Sequence, residues 1–181
     1  MCGIVAACAQ RNVLPILIEG LKALEYRGYD SAGVLVETGD ALKRARTQGK
    51  VCELENVLAS EPLVGTTGIA HTRWATHGAP TTRNAHPHTS DEIVGVVHNG
   101  IIENHAELRD ELKAQGFVFD SDTDTEVIAH LVNAGLRGGA DLRTATQAAV
   151  KRLRGAYAIA VVSAKEPGRA IGARQGSPLV V

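Results

Sequence analysis

Apolar runs short enough to be strands come as neighbours, and the segments with helical spacing are grouped between them. That distribution restricts the folds open to this chain more than any other feature. Residues 3–9 form a short apolar run suited to a buried strand. Leu14, Leu17, Leu21 and Leu24 then follow helical spacing, with Asn12 a candidate cap and Gly28 just past the end. Residues 33–37 and 41–47 flank Thr38-Gly39-Asp40 and read as a hairpin, and 51–59 as a short helix. Strand-like runs recur at 67–72 and 93–98. Between them lies 73–90, rich in Thr, His, Pro, Gly and Asn, and a loop that long in a compact domain is usually functional. Helical spacing returns at 104–115 and 124–135, the second with a capping box in Thr123-Asp124-Thr125-Glu126, and a third helix is expected over 141–153. Strands at 156–163, 169–173 and 178–181 complete the pass. Grouped strands and grouped helices favour antiparallel sheets covered by helices over alternating βαβ units, an α+β fold.

Composition narrows the class. Aromatic residues are only 3% of the chain while glycine numbers 19, so the core is built from aliphatic side chains and alanine. Nineteen basic residues against twenty acidic ones give a net charge of -1, which offers no electrostatic footprint for nucleic acid or an anionic membrane. Cys2, Cys8 and Cys52 are odd in number and lack C-x-x-C spacing, so they suggest neither a disulfide framework nor a structural zinc site. With no signal-peptide pattern and no membrane-length apolar segment, the expectation is one soluble domain in the cytoplasm. The last residues, Ser177-Pro178-Leu179-Val180-Val181, form an apolar run without a polar tail, and the domain, residues 2–181, reads as cut from a longer protein.

Chemistry is concentrated at the start. Removing Met1 would leave Cys2 as the terminal residue, with a nucleophile and a base on one position. The α-amine titrates near roughly 7.7 to 8.0 and the thiol near roughly 8.5, so the amine can take the thiol proton close to neutral pH. Five stretches then stand in order: Met1-Cys2-Gly3-Ile4-Val5, Leu24-Glu25-Tyr26-Arg27-Gly28-Tyr29-Asp30-Ser31-Ala32-Gly33, Gly68-Ile69-Ala70-His71-Thr72-Arg73-Trp74-Ala75-Thr76-His77-Gly78, His98-Asn99-Gly100-Ile101-Ile102-Glu103-Asn104, and Thr123-Asp124-Thr125-Glu126. Together they make the chain resemble the glutamine-hydrolysing half of the glucosamine-6-phosphate synthase family, among the class II glutamine amidotransferases. Ala6 and Cys8 depart from the usual glycine and small aliphatic residue at their positions.

The resemblance implies the four-layer αββα N-terminal nucleophile hydrolase fold, two antiparallel sheets between helical layers. It implies that Cys2 attacks the side-chain amide of L-glutamine and forms a γ-glutamyl thioester that water hydrolyses. It places the Asn99 amide and the Gly100 N–H at the oxyanion, Arg73 on the substrate α-carboxylate, and Asp124 on the α-ammonium. Trp74, Thr76 and His77 belong to the glutamine-site loop, and Trp74 to the gating of ammonia. Arg27 and Gly28 support the nucleophile, while His86 and His98 order the site by hydrogen bonding. No metal or cofactor is implied. The implied partners are glutamine and a synthase (sugar isomerase) domain of the full-length chain, which would itself be a homodimer.

Other readings attach to the same residues. Asn-Gly is the favoured pair of a type I′ hairpin turn. Asp124 in a first helical turn would be stabilised by the dipole whatever else it does. His71, His77, His86, His88 and His98 could form a zinc cluster, although no helical i,i+4 pair is present. A catalytically silent glutamine sensor and the glutaminase half of another class II amidotransferase remain alternatives.

Overall fold

The computed structural model describes residues 2–39, 41–76 and 78–180. Along the chain the elements are β1 (Gly3–Cys8), α1 (Leu14–Ala23), β2 (Ser31–Glu37), β3 (Leu42–Gln48), α2 (Val51–Ser60), β4 (Thr67–Arg73), β5 (His88–Ser90), β6 (Val94–Gly100), α3 (His105–Ala114), α4 (Glu126–Arg137), α5 (Leu142–Val150), β7 (Tyr157–Ser163) and β8 (Ala170–Gln175). The strands form two four-stranded sheets, ordered β1-β4-β2-β3 and β5-β6-β7-β8, and every pairing within them is antiparallel.

Side-chain alternation along each strand builds the layers. On β2, Ala32, Val34 and Val36 face Leu17 and Leu21 of α1 and Leu54 and Leu58 of α2. Leu35, between them, points the other way and meets Ile69 of β4, Val97 of β6, and Ala160 and Val162 of β7. On the second sheet, Val94, Val96, Ile159 and Val161 lie under α3, α4 and α5. Helices therefore cover both outer faces and the sheets meet at their inner ones, the αββα arrangement. Burying Leu35 and Ile69 completely stabilises the contact by roughly 1.5–3 kcal/mol each. Small residues allow close approach: a Cβ on Gly95 would lie 2.8 Å from Leu35 Cδ1 of the facing sheet, and one on Gly33 only 2.1 Å from the carbonyl oxygen of His86 in the loop before β5.

Several local expectations change. Asn12 sits one residue outside the α1 cap at Val13, and its Oδ1 accepts from the N–H of Leu14 (3.2 Å) and Gly65 (3.3 Å). Gly28 closes a 3-10 turn (Glu25–Arg27) instead of α1. The far end of the long loop forms β5, which pairs with β6. No capping box forms at α4: its cap, Thr125, makes no side-chain cap bond, and Glu126 accepts instead from the N–H of Asp120 and Ser121. The third helix stops at Val150 rather than reaching 153. Residues 178–180 are not a strand, and Val181 lies outside the described residues. Cys8 donates through its thiol to the Gly168 carbonyl at 3.0 Å. Among the described residues no helix is long and apolar enough to cross a membrane.

Candidate active site

Strand register brings the chemistry-bearing residues to one end of the sheets. Gly3 is opposite Thr72 and Ile4 opposite His71, so alternation carries Cys2 and Arg73 onto the inner face that Ile4 and His71 occupy. On β6 the inner face holds Val97 and, two residues further, Asn99. A cavity of about 840 Å³ opens there, lined by Cys2, Arg73, Asn99, Gly100 and Asp124, with Trp74 and Thr76 on its loop side. Arg27, His86 and His98 also reach it, as do Ser177 to Val180 of the C-terminal segment. His77 and Met1 lie outside the described residues.

Cys2 is half-buried, and its Sγ accepts from the Trp74 N–H at 3.2 Å. Burial pushes the thiol above its ordinary value, and the Trp74 N–H, the charge of the chain's amino terminus and the Arg73 charge pull back only part of the way. The thiol is therefore protonated at neutral pH and needs a base. Asp30 holds the start of the following loop: its Oδ2 accepts from the Ala75 N–H at 2.6 Å, and its own N–H donates to the Arg73 carbonyl at 2.7 Å.

Arg73 is only 3% exposed, and its guanidinium donates to the carbonyls of Gly78 (3.3 Å) and Ala79 (3.4 Å), so the loop folds around the charge. Trp74 is 55% exposed. Its ring leans over Gly28, where an added Cβ would lie 3.4 Å from the indole and where φ is +72°.

Asn99 and Gly100 do not form a hairpin turn. They end β6, opposite Ala158 and Tyr157 of β7. The Asn99 amide donates to the Cys2 carbonyl at 3.2 Å, and its Oδ1 lies 2.8 Å from His71 Nε2. Gly100 has φ +136°, and a Cβ there would lie 2.0 Å from the Ala156 carbonyl oxygen, so backbone angle and space both require glycine.

Asp124 immediately precedes the α4 cap, buried, with Oδ2 accepting from the Ile102 N–H at 2.8 Å and Oδ1 4.0 Å from His98 Nδ1. The threonines beside it are pinned. Thr125 Oγ1 bonds His86 Nε2 (2.8 Å) and His98 Nδ1 (2.9 Å), and Thr123 Oγ1 bonds His88 Nε2 (3.1 Å) and Ser121 Oγ (2.9 Å). Ser121 in turn donates to Glu126 at 2.7 Å. Burial alone would raise the Glu126 carboxyl, but the His130 ring 3.7 Å away and the bonds from Ser121 and the backbone outweigh it and hold it at about 2. Buried polar groups satisfied in this way hold a single geometry.

The histidine cluster is thus a scaffold around the cavity. The rings of His71 and His86 stack at 4.2 Å, and those of His86 and His88 meet edge-on at 4.6 Å. Burial lowers all three, His71 and His88 to about 3, so they are neutral. Their bonded nitrogens face hydroxyls, a carbonyl and an amide, and among the described residues no group of three or more His, Cys, Asp or Glu is placed to hold a metal. The sequence alone marks His71 only as a member of a possible zinc cluster and gives no site role to Asp30, Thr123 or Thr125. All four lie inside stretches already singled out, where Thr123 and Thr125 had been read through a helix cap.

Residues 71–178 match the family model described as a glutamine amidotransferase domain. The glutamine–fructose-6-phosphate aminotransferase (isomerizing) of Pseudomonas putida is 64% identical over 183 residues, and that of Shewanella oneidensis 59% over 181. Each alignment takes in 100% of this chain and 30% of the relative, so the chain spans about a third of those proteins' length. Among solved structures, the glutamine phosphoribosylpyrophosphate amidotransferase of Bacillus subtilis superposes with a TM-score of 0.73 at 28% identity, over 90% of this chain and 35% of that one. A glutamine aminotransferase class-II domain protein from Silicibacter pomeroyi shares the fold at a TM-score of 0.56 and 18% identity, over 83% and 71% of the two chains. With the family model covering more than half of the sequence and the layered sheets superposing on a solved amidotransferase, this chain belongs to the glutamine amidotransferases and has their N-terminal nucleophile hydrolase fold.

Proposed function

We propose that this chain hydrolyses L-glutamine to glutamate and ammonia, with Cys2 as nucleophile once Met1 has been removed. The observation that carries the reading is the convergence of Cys2, Arg73, Asn99, Gly100 and Asp124 on one cavity, from four separate stretches of sequence. Burial disfavours the thiolate, so a base is called for, and the α-amine that loss of Met1 would free on the same residue supplies it. The Cys2 proton passes to the amine and Sγ bonds to the amide carbon. The C–N bond then breaks as the amine returns its proton to the departing ammonia. Water cleaves the resulting γ-glutamyl thioester, restoring the thiol.

Charge during both steps accumulates on the former amide oxygen. The Asn99 amide carries a second N–H beside the one given to the Cys2 carbonyl, and with the Gly100 N–H it stabilises that oxygen. Arg73, a planar fork with five donors, serves the α-carboxylate, and Asp124 the α-ammonium. Trp74 and Thr76 serve the loop over the substrate, and His77 is assigned to the same loop from its place in the sequence. Arg27 and Gly28 steady the nucleophile's side, with Gly28 providing the seat for the Trp74 ring, and His86 and His98 hold the Asp124 segment through Thr125.

The relatives' names point to where the ammonia goes. In a longer protein of which this chain forms the glutaminase part, we propose delivery to fructose 6-phosphate on a sugar isomerase domain. Glutamate and ammonia release should be measured before and after thiol alkylation, and in variants that retain Met1 or carry Cys2→Ala. All three treatments should abolish turnover, and comparable turnover in any of them overturns the mechanism.

A further inference from the structure

A side-chain amide can be turned either way, and only one orientation serves an oxyanion. With Nδ2 toward the cavity side of Cys2, Asn99 donates; rotated by half a turn, it would present an oxygen to developing negative charge. The Cys2 carbonyl, an acceptor only, draws Nδ2 to its side, and a donor at the far end of the amide is what excludes the flipped arrangement there.

The choice traces to a group that cannot change its character. His71 Nε2 lies 3.0 Å from the His98 backbone carbonyl oxygen and 2.8 Å from Asn99 Oδ1. A carbonyl only accepts, so Nε2 must carry the hydrogen. Facing a donor, Asn99 turns Oδ1 toward His71, in concert with the Cys2 carbonyl that accepts from Nδ2 at 3.2 Å. The opposite ring nitrogen, Nδ1, is buried with no hydrogen-bond partner among the described residues, so nothing favours the other tautomer. His71 is fully buried and does not line the cavity. Its position on β4 is fixed by register, opposite Ile4 on one side and Gly33 on the other.

We propose that His71 is a positioning residue for the oxyanion site, fixing which end of the Asn99 amide faces the substrate without touching the substrate itself. This deepens the glutaminase reading and rests on it for the role of Asn99. The direction of control runs from the His98 carbonyl to the His71 tautomer, from the tautomer to the Asn99 amide, and from the amide to the oxyanion. Neutrality helps: burial keeps the ring uncharged, so the same tautomer persists across the working pH range.

The test has a kinetic arm and a spectroscopic arm. His71→Leu removes the donor and keeps an apolar volume, whereas His71→Gln puts an amide N–H near the place of Nε2. Losing one orienting hydrogen bond should lower kcat for glutamine about tenfold, with KM within about twofold, and His71→Gln should recover most of the loss. Because His71 acts through Asn99, His71→Leu should lower kcat no further in an Asn99→Ala background. A full additional tenfold loss there overturns the proposal, as does a His71→Leu enzyme with wild-type kcat. Nitrogen-15 imidazole shifts of the unmodified protein give an answer independent of turnover and of how the variants fold: the Nε2–H tautomer is expected from pH 5 to pH 8, and an Nδ1–H tautomer overturns the proposal. A protein with the expected tautomer but no glutaminase activity would instead point to the functional reading as the part at fault.

Discussion

Replacing Asn99 with alanine separates catalysis from folding at a single residue, because the structure gives the size of each effect. The truncation removes the contact from Asn99 Oδ1 to His71 Nε2 and the bond from Nδ2 to the Cys2 carbonyl. His71 keeps its bond to the His98 carbonyl, so only the Cys2 carbonyl loses a partner outright. At about 0.5–1.5 kcal/mol per hydrogen bond, the stability loss is on the order of 2 kcal/mol. In a chain of this length that lowers Tm by about 4–8 °C. The kinetic effect is larger: a lost oxyanion donor costs about 2.7–4 kcal/mol, a hundredfold to a thousandfold in kcat. Glutamate release under saturating glutamine, measured well below the variant's Tm, reads the second effect with the first held fixed. If kcat stays within about threefold of wild type while Tm falls as expected, far below the range for a donor of this kind, Asn99 only joins Cys2 to β6 and the oxyanion assignment fails.

Asp124→Asn should weaken glutamine binding at least tenfold yet leave an analogue lacking the α-amine unaffected, as inhibition constants for the two would read; equal losses would trace the effect to the Ile102 N–H anchor. Gly100→Ala should lower both Tm and kcat beyond Asn99→Ala, since its Cβ would lie 2.0 Å from the Ala156 oxygen at φ +136°, and wild-type values for both would contradict that geometry. Acid should destabilise the fold early. His71 and His88 sit at about 3 when folded, below the unfolded value of roughly 6.5, so the stability they confer is complete above about pH 6.5 and is lost as pH falls toward 3, by up to about 1.4 kcal/mol per pH unit each. A urea midpoint that stays flat from pH 7 to about pH 4.5, within that window, would refute it.

Much of this was legible in the sequence, because strand alternation and helical spacing are local properties. The hairpin around residues 38–41, the helical face of Val127, Ile128, Leu131 and Val132, and the separate stretches that meet at the cavity could all be read from residue order. The partners of polar side chains could not. Thr123 and Glu126 have the spacing of a capping box, yet α4 begins at Glu126 with Thr125 as its cap, so neither stands at a box position, and Glu126 turns to the N–H groups of Asp120 and Ser121 and Thr123 to His88. Asn99-Gly100 has the composition of a tight turn, and only its pairing with β7 shows that it ends a strand. The apolar run at 178–180 predicts a strand, but the β8 ladder with β7 takes in Ala170 to Arg174 and this segment lies beyond it, on the cavity wall.

The contact between Gly33 and the His86 carbonyl makes change at that position one-directional. Every other amino acid adds at least a Cβ that would lie 2.1 Å from that oxygen, so every substitution forces β2 and the His86 loop apart and none can bring them closer. His86 is joined through Thr125 to the segment bearing Asp124, and a displacement of about 1 Å in a reacting geometry can lower a rate about a hundredfold. Descendants of this sequence can therefore widen the gap here but have no single step that narrows it. In a saturation library, a screen for soluble protein should tolerate more at position 33 than a screen for ammonia supply, and the difference between the two would measure how far the scaffold outlasts the chemistry it supports.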